Sequence, residues 1–475
     1  MKLFSPRLTT LKSKLYAIVF ASLVVRVVAF FVLPNTASNL APDEGTYAEL
    51  ANWTALGKPA TEFPAFGAGL YQSGRSLLLP AALFNKIGFN PLNSVRLTAT
   101  IYGFLLVCLI VTIILKTALK NIEFAEFIDQ NPRIFFSLFL MFVLLPSNFV
   151  WSILGLRESA TQFWTILAFL LLFQMLHLDK KASLSATCGF LFSIVLTFSA
   201  RPQVGWVLGV TLLLYLLVRI RNRIARLLIP ITALGIFFGS IATVASPLEV
   251  RETYLAKEIS ETNVAKSRKL IAEERKVASS LCNFSGQKVE SNNVYYRCKL
   301  EIIKESSINL KDLGTSVIDL LDETPAKHAG NKVGAASAIK TLDCPFAEIT
   351  RYEKYSCIAY RAPYTAYTFL VRPVPGADVR SSSSLLAAME NVFWLAAFVF
   401  VIVMLIRNRR LAFIGSLVPS LMFFSIYTVG AGAYEGNMGT AFRHKSLILW
   451  VVILLLASTI VATQQKKAER EGISG

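Results

Sequence analysis

The sequence predicts an all-α polytopic membrane protein with about ten transmembrane helices. Of its 475 residues, 54% are hydrophobic and only 16% are charged, and long apolar runs recur along the chain, as is typical of integral membrane proteins. The Lys and Arg residues, which give a formal net charge of +18, lie mainly between those runs, where positive charge sets the orientation of membrane helices. No basic tract is interleaved with aromatic residues, so we expect no nucleic-acid partner.

Ten apolar runs are candidate spans, although several are shorter than the ~20 residues that a straight span needs. With the amino terminus inside, every short inner loop is basic, so ten spans agree with the positive-inside rule. We expect an uncleaved first helix and a multi-pass protein of the plasma (inner) membrane with both termini in the cytoplasm. The predicted spans are Leu15–Leu33, Ser94–Lys116, Arg133–Leu154, Ser159–His177, Leu184–Ala200, Val204–Leu217, Ile224–Ala245, Asn391–Ile406, Leu411–Val429 and Ser446–Ala462.

These spans divide the chain into three parts. Residues 1–245 are expected to form an amino-terminal transmembrane bundle whose first outer loop is 34–93. Residues 246–389 are charged and contain no apolar run long enough to span, so we expect an extracytoplasmic domain of mixed secondary structure, inserted before the last three spans. Residues 390–475 then hold those spans and a cytoplasmic tail.

Four of the six cysteines lie in the predicted extracytoplasmic domain. In an oxidising compartment, four cysteines suggest two disulfides, and three pairings are possible. Pairs that close short local loops are favoured, Cys282 with Cys298 and Cys344 with Cys357, but the sequence does not decide between the pairings. A zinc site built from all four thiolates is the alternative, and the absence of C-x-x-C spacing disfavours it.

The segment PDEGTYAEL at positions 42–50 directly follows the first apolar run. Pro42 suits the first turn of a helix, and Asp43 and Glu44 then lie near its partially positive amino terminus, which favours their ionised forms. An ionised carboxylate at the membrane surface can accept a proton from a hydroxyl group. Two interpretations stay open from the spacing alone: a catalytic acidic pair, or ordinary acidic stabilisers of a first helical turn.

An apolar first helix followed by Pro-Asp-Glu-x-x-Tyr-Ala-Glu-Leu resembles the first extracytoplasmic loop of GT-C glycosyltransferases. The resemblance is to the protein-mannosyltransferase and aminoarabinose-transferase branch, and its close part covers residues 15–60. It implies a GT-C-like fold, a polyprenyl-phosphate sugar donor and a catalytic role for Asp43, with Glu44 second. GT-C enzymes commonly carry another acidic residue in the second outer loop, where Glu158 is the only acid. Glu158 could position the acceptor, bind a divalent metal (Mg²⁺ or Mn²⁺) with Asp43, or simply pair with its neighbour Arg157.

Several basic residues lie on the predicted outer side, against the positive-inside rule. Arg recognises phosphate through bidentate, charge-assisted hydrogen bonds, and cations there would also stabilise the departing phosphate of a lipid-linked donor. Pairing with anionic lipid head groups is the alternative for any single one of them. The run Arg443-His444-Lys445 resembles an Arg-His-Arg-type element before late helices of such enzymes. The candidate phosphate ligands are Arg75, Arg157, Arg201, Arg443, His444 and Lys445.

Together, the resemblance and the outer charges predict a membrane glycosyltransferase (a hexosyl- or pentosyltransferase) of the cell envelope. It would transfer a sugar from a polyprenyl-phosphate donor to a glycan, lipid or protein acceptor at the outer face, among membrane lipids, for example in polysaccharide biosynthesis. Tyr47 and Trp53 are candidates for lining an acceptor or lipid groove, although aromatic residues at an interface need no such role. An O-antigen or exopolysaccharide polymerase or ligase is the first alternative. Those enzymes also carry outer-loop arginines, with an Arg-Glu-like turn that Arg157-Glu158 resembles. A transporter or flippase for lipid-linked sugars is the second.

Overall fold

The computed structural model describes residues 6–35, 41, 43–58, 74–120, 132–177, 183–219, 351–379, 382–407, 414–435 and 439–452. Every regular element within these ranges is an α-helix, which confirms the all-α class for this part of the chain. The predicted span Ile224–Ala245, most of the predicted extracytoplasmic domain and three of its four cysteines (Cys282, Cys298 and Cys344) lie outside the described residues. The disulfide pairing, which also involves Cys357, therefore stays a prediction.

Thirteen helices occupy the described ranges, and nine of the ten predicted spans overlap them. The tenth predicted span, Ile224–Ala245, lies outside the described residues. The helices are α1 (Pro6–Val32), α2 (Asp43–Ala55), α3 (Arg75–Lys86), α4 (Pro91–Lys120), α5 (Pro132–Leu144), α6 (Pro146–Ile153), α7 (Glu158–His177), α8 (Ser183–Ala200), α9 (Pro202–Arg219), α10 (Arg351–Val371), α11 (Ser382–Arg407), α12 (Ile414–Tyr434) and α13 (439–452).

Proline fixes where many of these helices begin. Its missing N–H costs nothing at the first helical position, and its fixed φ suits the helix. Helix α4 is also capped by its preceding residue, because the Asn90 Oδ1 accepts a hydrogen bond from the Leu92 backbone N–H at 2.9 Å. The helices that begin with proline are α1, α4, α5, α6 and α9, at Pro6, Pro91, Pro132, Pro146 and Pro202.

One predicted span is divided in the structure. The run Arg133–Leu154 forms two helices, α5 and α6, which are separated at Leu145. Leu145 has φ −55° and ψ 135°, an extended conformation that the ring of the following Pro146 imposes by steric clash with the α region. The apolar composition predicted the helices correctly, but the proline ends the first and begins the second.

Two helices are long and apolar enough to cross a membrane, Leu11–Val32 and Pro91–Thr112, within α1 and α4. Both contain 22 residues, which exceeds the ~20 that a bilayer core requires. Five other apolar helices among the described residues are shorter, at 10–17 residues. On one face of α1, large apolar side chains such as Phe20 and Phe31 are exposed. The number of ten spans stays a prediction.

Two hydrophobic cores hold the helices together. The larger core collects side chains from α1, from α4 to α5, and from α7 to α13. The smaller core lies under α2 and α3 and includes Tyr47, Leu77, Val95 and Leu154. This smaller core packs the start of α2 against α4 and against the turn that precedes α7, and so it sets the position of the acidic residues of both elements.

The contact between α10 and α12 depends on Gly432. A Cβ added there would lie 2.7 Å from the backbone carbonyl carbon of Thr365, closer than backbone atoms can tolerate. We therefore expect Gly432→Ala to push the helices apart and to destabilise the protein by about 1–3 kcal/mol, measured as a lower melting temperature in detergent. Gly430→Ala is the matched control, because nothing lies within 4 Å of a Cβ at that position. Equal melting temperatures for the two variants would contradict this packing.

Candidate functional site

Charged residues from five separate segments meet at the ends of the helices. Asp43 begins α2 and Glu158 begins α7. Arg201 directly precedes α9, and Glu435 directly follows α12. Ion pairs and close electrostatic contacts connect the members of this group, which we term the charged cluster. It comprises Asp43, Arg157, Glu158, Arg201, Glu435, Arg443 and His444.

Arg443 joins the two carboxylates that the sequence singled out. Its Nη1 donates a hydrogen bond to the Asp43 Oδ2 at 3.1 Å, and its Nε lies 3.0 Å from the Glu158 Oε1. The Asp43 side chain is 32% exposed, whereas that of Glu158 is 1% exposed. The cluster is therefore accessible on the Asp43 side and closed around Glu158.

Glu158 lies among arginines. The Nη2 of Arg201 is 3.1 Å from the Glu158 Oε1, and both side chains are buried. Burial alone would raise the pKa of the Glu158 carboxyl group, but Arg443, Arg201 and Arg157 more than offset it and lower the pKa. Glu158 is therefore ionised and neutralises part of the arginine charge.

Arg201 has hydrogen-bonding capacity to spare. The Tyr427 hydroxyl interacts with the Arg201 guanidinium, but within the described part of the chain the buried Nε and Nη1 of Arg201 have no hydrogen-bond partner. Buried donors without a partner are costly, and they are commonly explained by a group that binds there. A guanidinium with two open donors fits an anion such as phosphate.

The two adjacent carboxylates of α2 point to different partners. Whereas Asp43 faces the charged cluster, Glu44 forms a bidentate ion pair with Arg96, with distances of 2.7 and 2.8 Å. The Glu44 Oε1 also accepts the backbone N–H of Gly155 at 2.8 Å. Both ionic side chains are fully buried. Glu44 thus connects α2 to α4 and to the turn that carries Arg157.

Gly155 permits this close approach. A Cβ at that position would lie 2.5 Å from the Cγ2 of Val95 and 3.3 Å from the Cγ of Glu44. Only a residue without a side chain lets the turn before α7 pack this tightly against α2 and α4.

Tyr47 and Trp53, the predicted groove residues, occupy different environments. Tyr47 is buried in the smaller core beside Arg157. Burial raises the pKa of the Tyr47 hydroxyl, while Arg157 acts in the opposite direction. Trp53 is half-buried in α2, and the Lys58 Nζ lies 5.3 Å from the centroid of its ring.

Lys445 lies two residues beyond Arg443 but binds elsewhere. Its Nζ donates hydrogen bonds to the carbonyl oxygens of Leu370 and Arg372 and to the Oδ1 of Asn391. The ammonium group is buried and fixes the end of α10 to α11 and α13. Its three donors are satisfied by these protein acceptors. Among the remaining predicted phosphate ligands, Arg75 begins α3.

Glu435 was not singled out by the sequence analysis. Its carboxylate, directly after the end of α12, contacts the Nδ1 of His444 in α13. The Glu435 side chain is almost fully buried. One signal was present in the sequence. Glu435 directly follows an apolar run, on the same predicted side of the membrane as the candidate phosphate ligands. A charged group in such a place is energetically costly unless it is paired or functional.

The residues described do not form an obvious metal site. No group of three or more His, Cys, Asp or Glu side chains is arranged to hold a metal ion within the described ranges. The guanidinium of Arg443 lies between Asp43 and Glu158, so these two carboxylates are already neutralised by a cation of the protein. The predicted Mg²⁺ or Mn²⁺ stays an open prediction.

Comparisons with family models, with characterised proteins and with solved structures found no match to this chain. What is established is thus an all-α architecture for the described residues, with two helices long enough to cross a membrane and a buried charged cluster at the helix ends. The roles predicted for individual residues of the cluster stay predictions.

Proposed function

We propose that this chain is an integral membrane glycosyltransferase of the GT-C type, which transfers a sugar from a polyprenyl-phosphate donor to a glycan, lipid or protein acceptor. One observation supports this proposal above all others. A partly exposed carboxylate, Asp43, is ion-paired to Arg443, which in turn contacts Glu158 and, through it, Arg201. A carboxylate that can accept a proton thus lies directly beside cations that can bind a phosphate.

The arginines are the proposed donor site. Arg201 contributes two buried nitrogens without a hydrogen-bond partner in the described part of the chain, and Arg443 is fixed beside it through Glu158. Charge-assisted hydrogen bonds to phosphate are among the stronger ones in proteins. Because Glu158 neutralises part of the positive charge, the arginines can remain close together without the phosphate, and the donor supplies the remaining negative charge.

Asp43 is the proposed base. The acceptor oxygen attacks the anomeric carbon of the donor sugar, while its proton passes to the Asp43 carboxylate. The bond between that carbon and the phosphate oxygen breaks, and the polyprenyl phosphate leaves with the electron pair. Arg201 and Arg443 stabilise the negative charge that grows on the phosphate. A single displacement of this kind inverts the configuration at the sugar carbon.

In this proposal the charged cluster faces the outer side of the membrane, and the chain crosses the bilayer about ten times with both termini in the cytoplasm. Two observations support it. The helices α1 and α4 are long and apolar enough to span, and basic residues flank the opposite ends of the predicted spans. Glu44 has the role of an anchor for the first outer loop, through Arg96, rather than a direct role in the chemistry.

A test follows from the proposed donor. Depletion of the protein in its host is expected to raise the amount of one polyprenyl-phosphate-linked sugar, which mass spectrometry of extracted lipids measures. Expression of the intact chain should reverse the increase, and Arg443→Met should not. Arg133→Met is the matched control, because Arg133 is an exposed arginine on α5 that lies outside the charged cluster. Unchanged levels of every lipid-linked sugar would count against the proposal.

A polymerase or ligase of lipid-linked glycans is the second candidate. The observation in its favour is that Glu158, directly after Arg157, lies in the buried centre of the charged cluster, whereas Asp43 lies at its accessible edge. In that function the arginines carry the reaction and Asp43 has no essential part. Replacement of Asp43 by Asn distinguishes the two candidates, because only the proposed glycosyltransferase needs a base at that position.

A further inference from the structure

Glu435 and His444 form a buried pair that the proposed transfer reaction does not yet use. The Glu435 carboxylate contacts the Nδ1 of His444. The other ring nitrogen, Nε2, is buried and has no hydrogen-bond partner among the described residues. A buried ring nitrogen without a hydrogen-bond partner is commonly explained by a group that binds there, and the other nitrogen of this histidine is already paired.

Positive charge surrounds this pair. The charges of Arg157, Arg201 and Arg443 act electrostatically on both Glu435 and His444, and the charge of Glu158 acts on Glu435. The hydroxyl group of Tyr427, on α12, interacts with Arg201 and also lies within electrostatic reach of Glu435. The pair therefore faces the same arginines that are proposed to hold the donor phosphate.

The surroundings shift the two groups in opposite directions. Burial raises the pKa of Glu435 to about 7, although Arg201, Arg443 and Arg157 act against the rise. Burial, together with Arg201, Arg443 and Arg157, lowers the pKa of His444 well below its ordinary value. Since the groups are in contact, a proton bound there belongs to the pair rather than to either group alone.

The number of protons on the pair decides what Nε2 can do. With one proton, Glu435 is ionised and accepts the Nδ1–H of His444, so that Nε2 carries only a lone pair. With two protons, Nε2 carries a hydrogen whether the second proton resides on Glu435 or on Nδ1. Only the second state offers a hydrogen bond to a phosphate oxygen, and a nearby phosphate anion favours that state.

We propose that Glu435 and His444 act as one proton-binding unit that takes up a proton when the donor phosphate binds, so that the Nε2–H of His444 becomes a phosphate ligand. Glu435 is then a positioning residue that holds the imidazole and shares the proton. This inference rests on the proposed function, because it places the donor phosphate among the arginines of the charged cluster.

The experiment uses the full-length protein in detergent and methyl polyprenyl phosphate, a phosphodiester that keeps a single negative charge across the neutral pH range. Calorimetric titrations in buffers with different ionisation enthalpies count the protons taken up on binding. Above pH ~7, binding of the probe by the wild-type protein is expected to be accompanied by the uptake of about one proton. The affinity for the probe should fall about tenfold between pH ~6 and pH ~8. The sign follows from the pair, which loses its second proton as the pH rises.

Two variants test the unit independently. With Glu435→Gln the side-chain amide can donate permanently to Nδ1, so binding should persist without proton uptake and without pH dependence. With His444→Leu, affinity at pH ~6 should fall about tenfold, and proton uptake should again be lost. Full proton uptake by a folded Glu435→Gln or His444→Leu protein, or binding by the wild-type protein without uptake, overturns the inference.

A separate variant tests the proposed function on which the inference rests. Arg201→Met should abolish binding of methyl polyprenyl phosphate by a protein that still melts cooperatively. If the wild-type protein does not bind this probe, if Arg201→Met binds it normally, or if phosphatidylglycerol binds equally well, the proposed donor site is wrong. Binding that requires Arg201 but involves no proton uptake leaves the donor site intact and refutes only the role of the pair.

Discussion

Asp43→Asn is expected to abolish sugar transfer while it leaves the affinity for a polyprenyl-phosphate donor within a few-fold of the wild-type value. The asparagine oxygen can still accept the hydrogen bond from the Nη1 of Arg443, so the site should keep its shape. It cannot accept a proton from the acceptor hydroxyl. General-base catalysis contributes about 10²–10⁴-fold, and we expect a loss of kcat/KM of that size in a transfer assay with purified protein.

Glu49→Gln provides the control for this prediction. Glu49 lies on the same helix, α2, but its side chain is exposed, so transfer should proceed at nearly the wild-type rate. A fully active Asp43→Asn protein would remove Asp43 from the chemistry. It would also favour the alternative function, in which the arginines around Glu158 act without a base at this position.

Arg96→Met is expected to destabilise the protein strongly. It leaves the Glu44 carboxylate buried beside the Gly155 N–H without its bidentate cation. Removal of one partner from a buried ion pair typically costs about 3–5 kcal/mol. We expect a much lower melting temperature in detergent, together with poor recovery of folded protein.

The double replacement of Arg96 by Met and Glu44 by Gln is the informative comparison. It removes both charges, and the glutamine oxygen can still accept the backbone N–H of Gly155. Much of the lost stability should return, since the cost arises from the unpaired charge rather than from the loss of the pair itself. A single Arg96→Met protein that melts like the wild type would show that the charge is neutralised by other means.

Much of the helical architecture could be predicted from local features of the sequence. The apolar runs gave the positions of nine helical regions, because the helical state satisfies every backbone polar group of an apolar segment internally. The start of α2 at the acidic pair was also predicted correctly, since Pro42, Asp43 and Glu44 suit the first helical turn. Among the described residues, Pro146 interrupts a run that composition alone treats as continuous.

The partners of the charged residues could not be predicted, because they depend on tertiary packing. The sequence gives no indication that Glu44 pairs with Arg96 while its neighbour Asp43 pairs with Arg443. Side chains two residues apart on a helix point in directions that differ by about 200°. Lys445 therefore does not share the environment of Arg443. Glu435 required the same spatial information.

The contact of Arg443 with Asp43 and Glu158 unites residues near the beginning, the first third and the end of the polypeptide. During synthesis, the carboxylates enter the membrane long before the arginine is translated. A chain truncated before Arg443 therefore cannot complete these ion pairs, and under the proposed function it would not transfer sugar. If the charged cluster is the reaction centre proposed above, activity would begin only after α13 has docked, so that the completion of folding would determine when the protein becomes active.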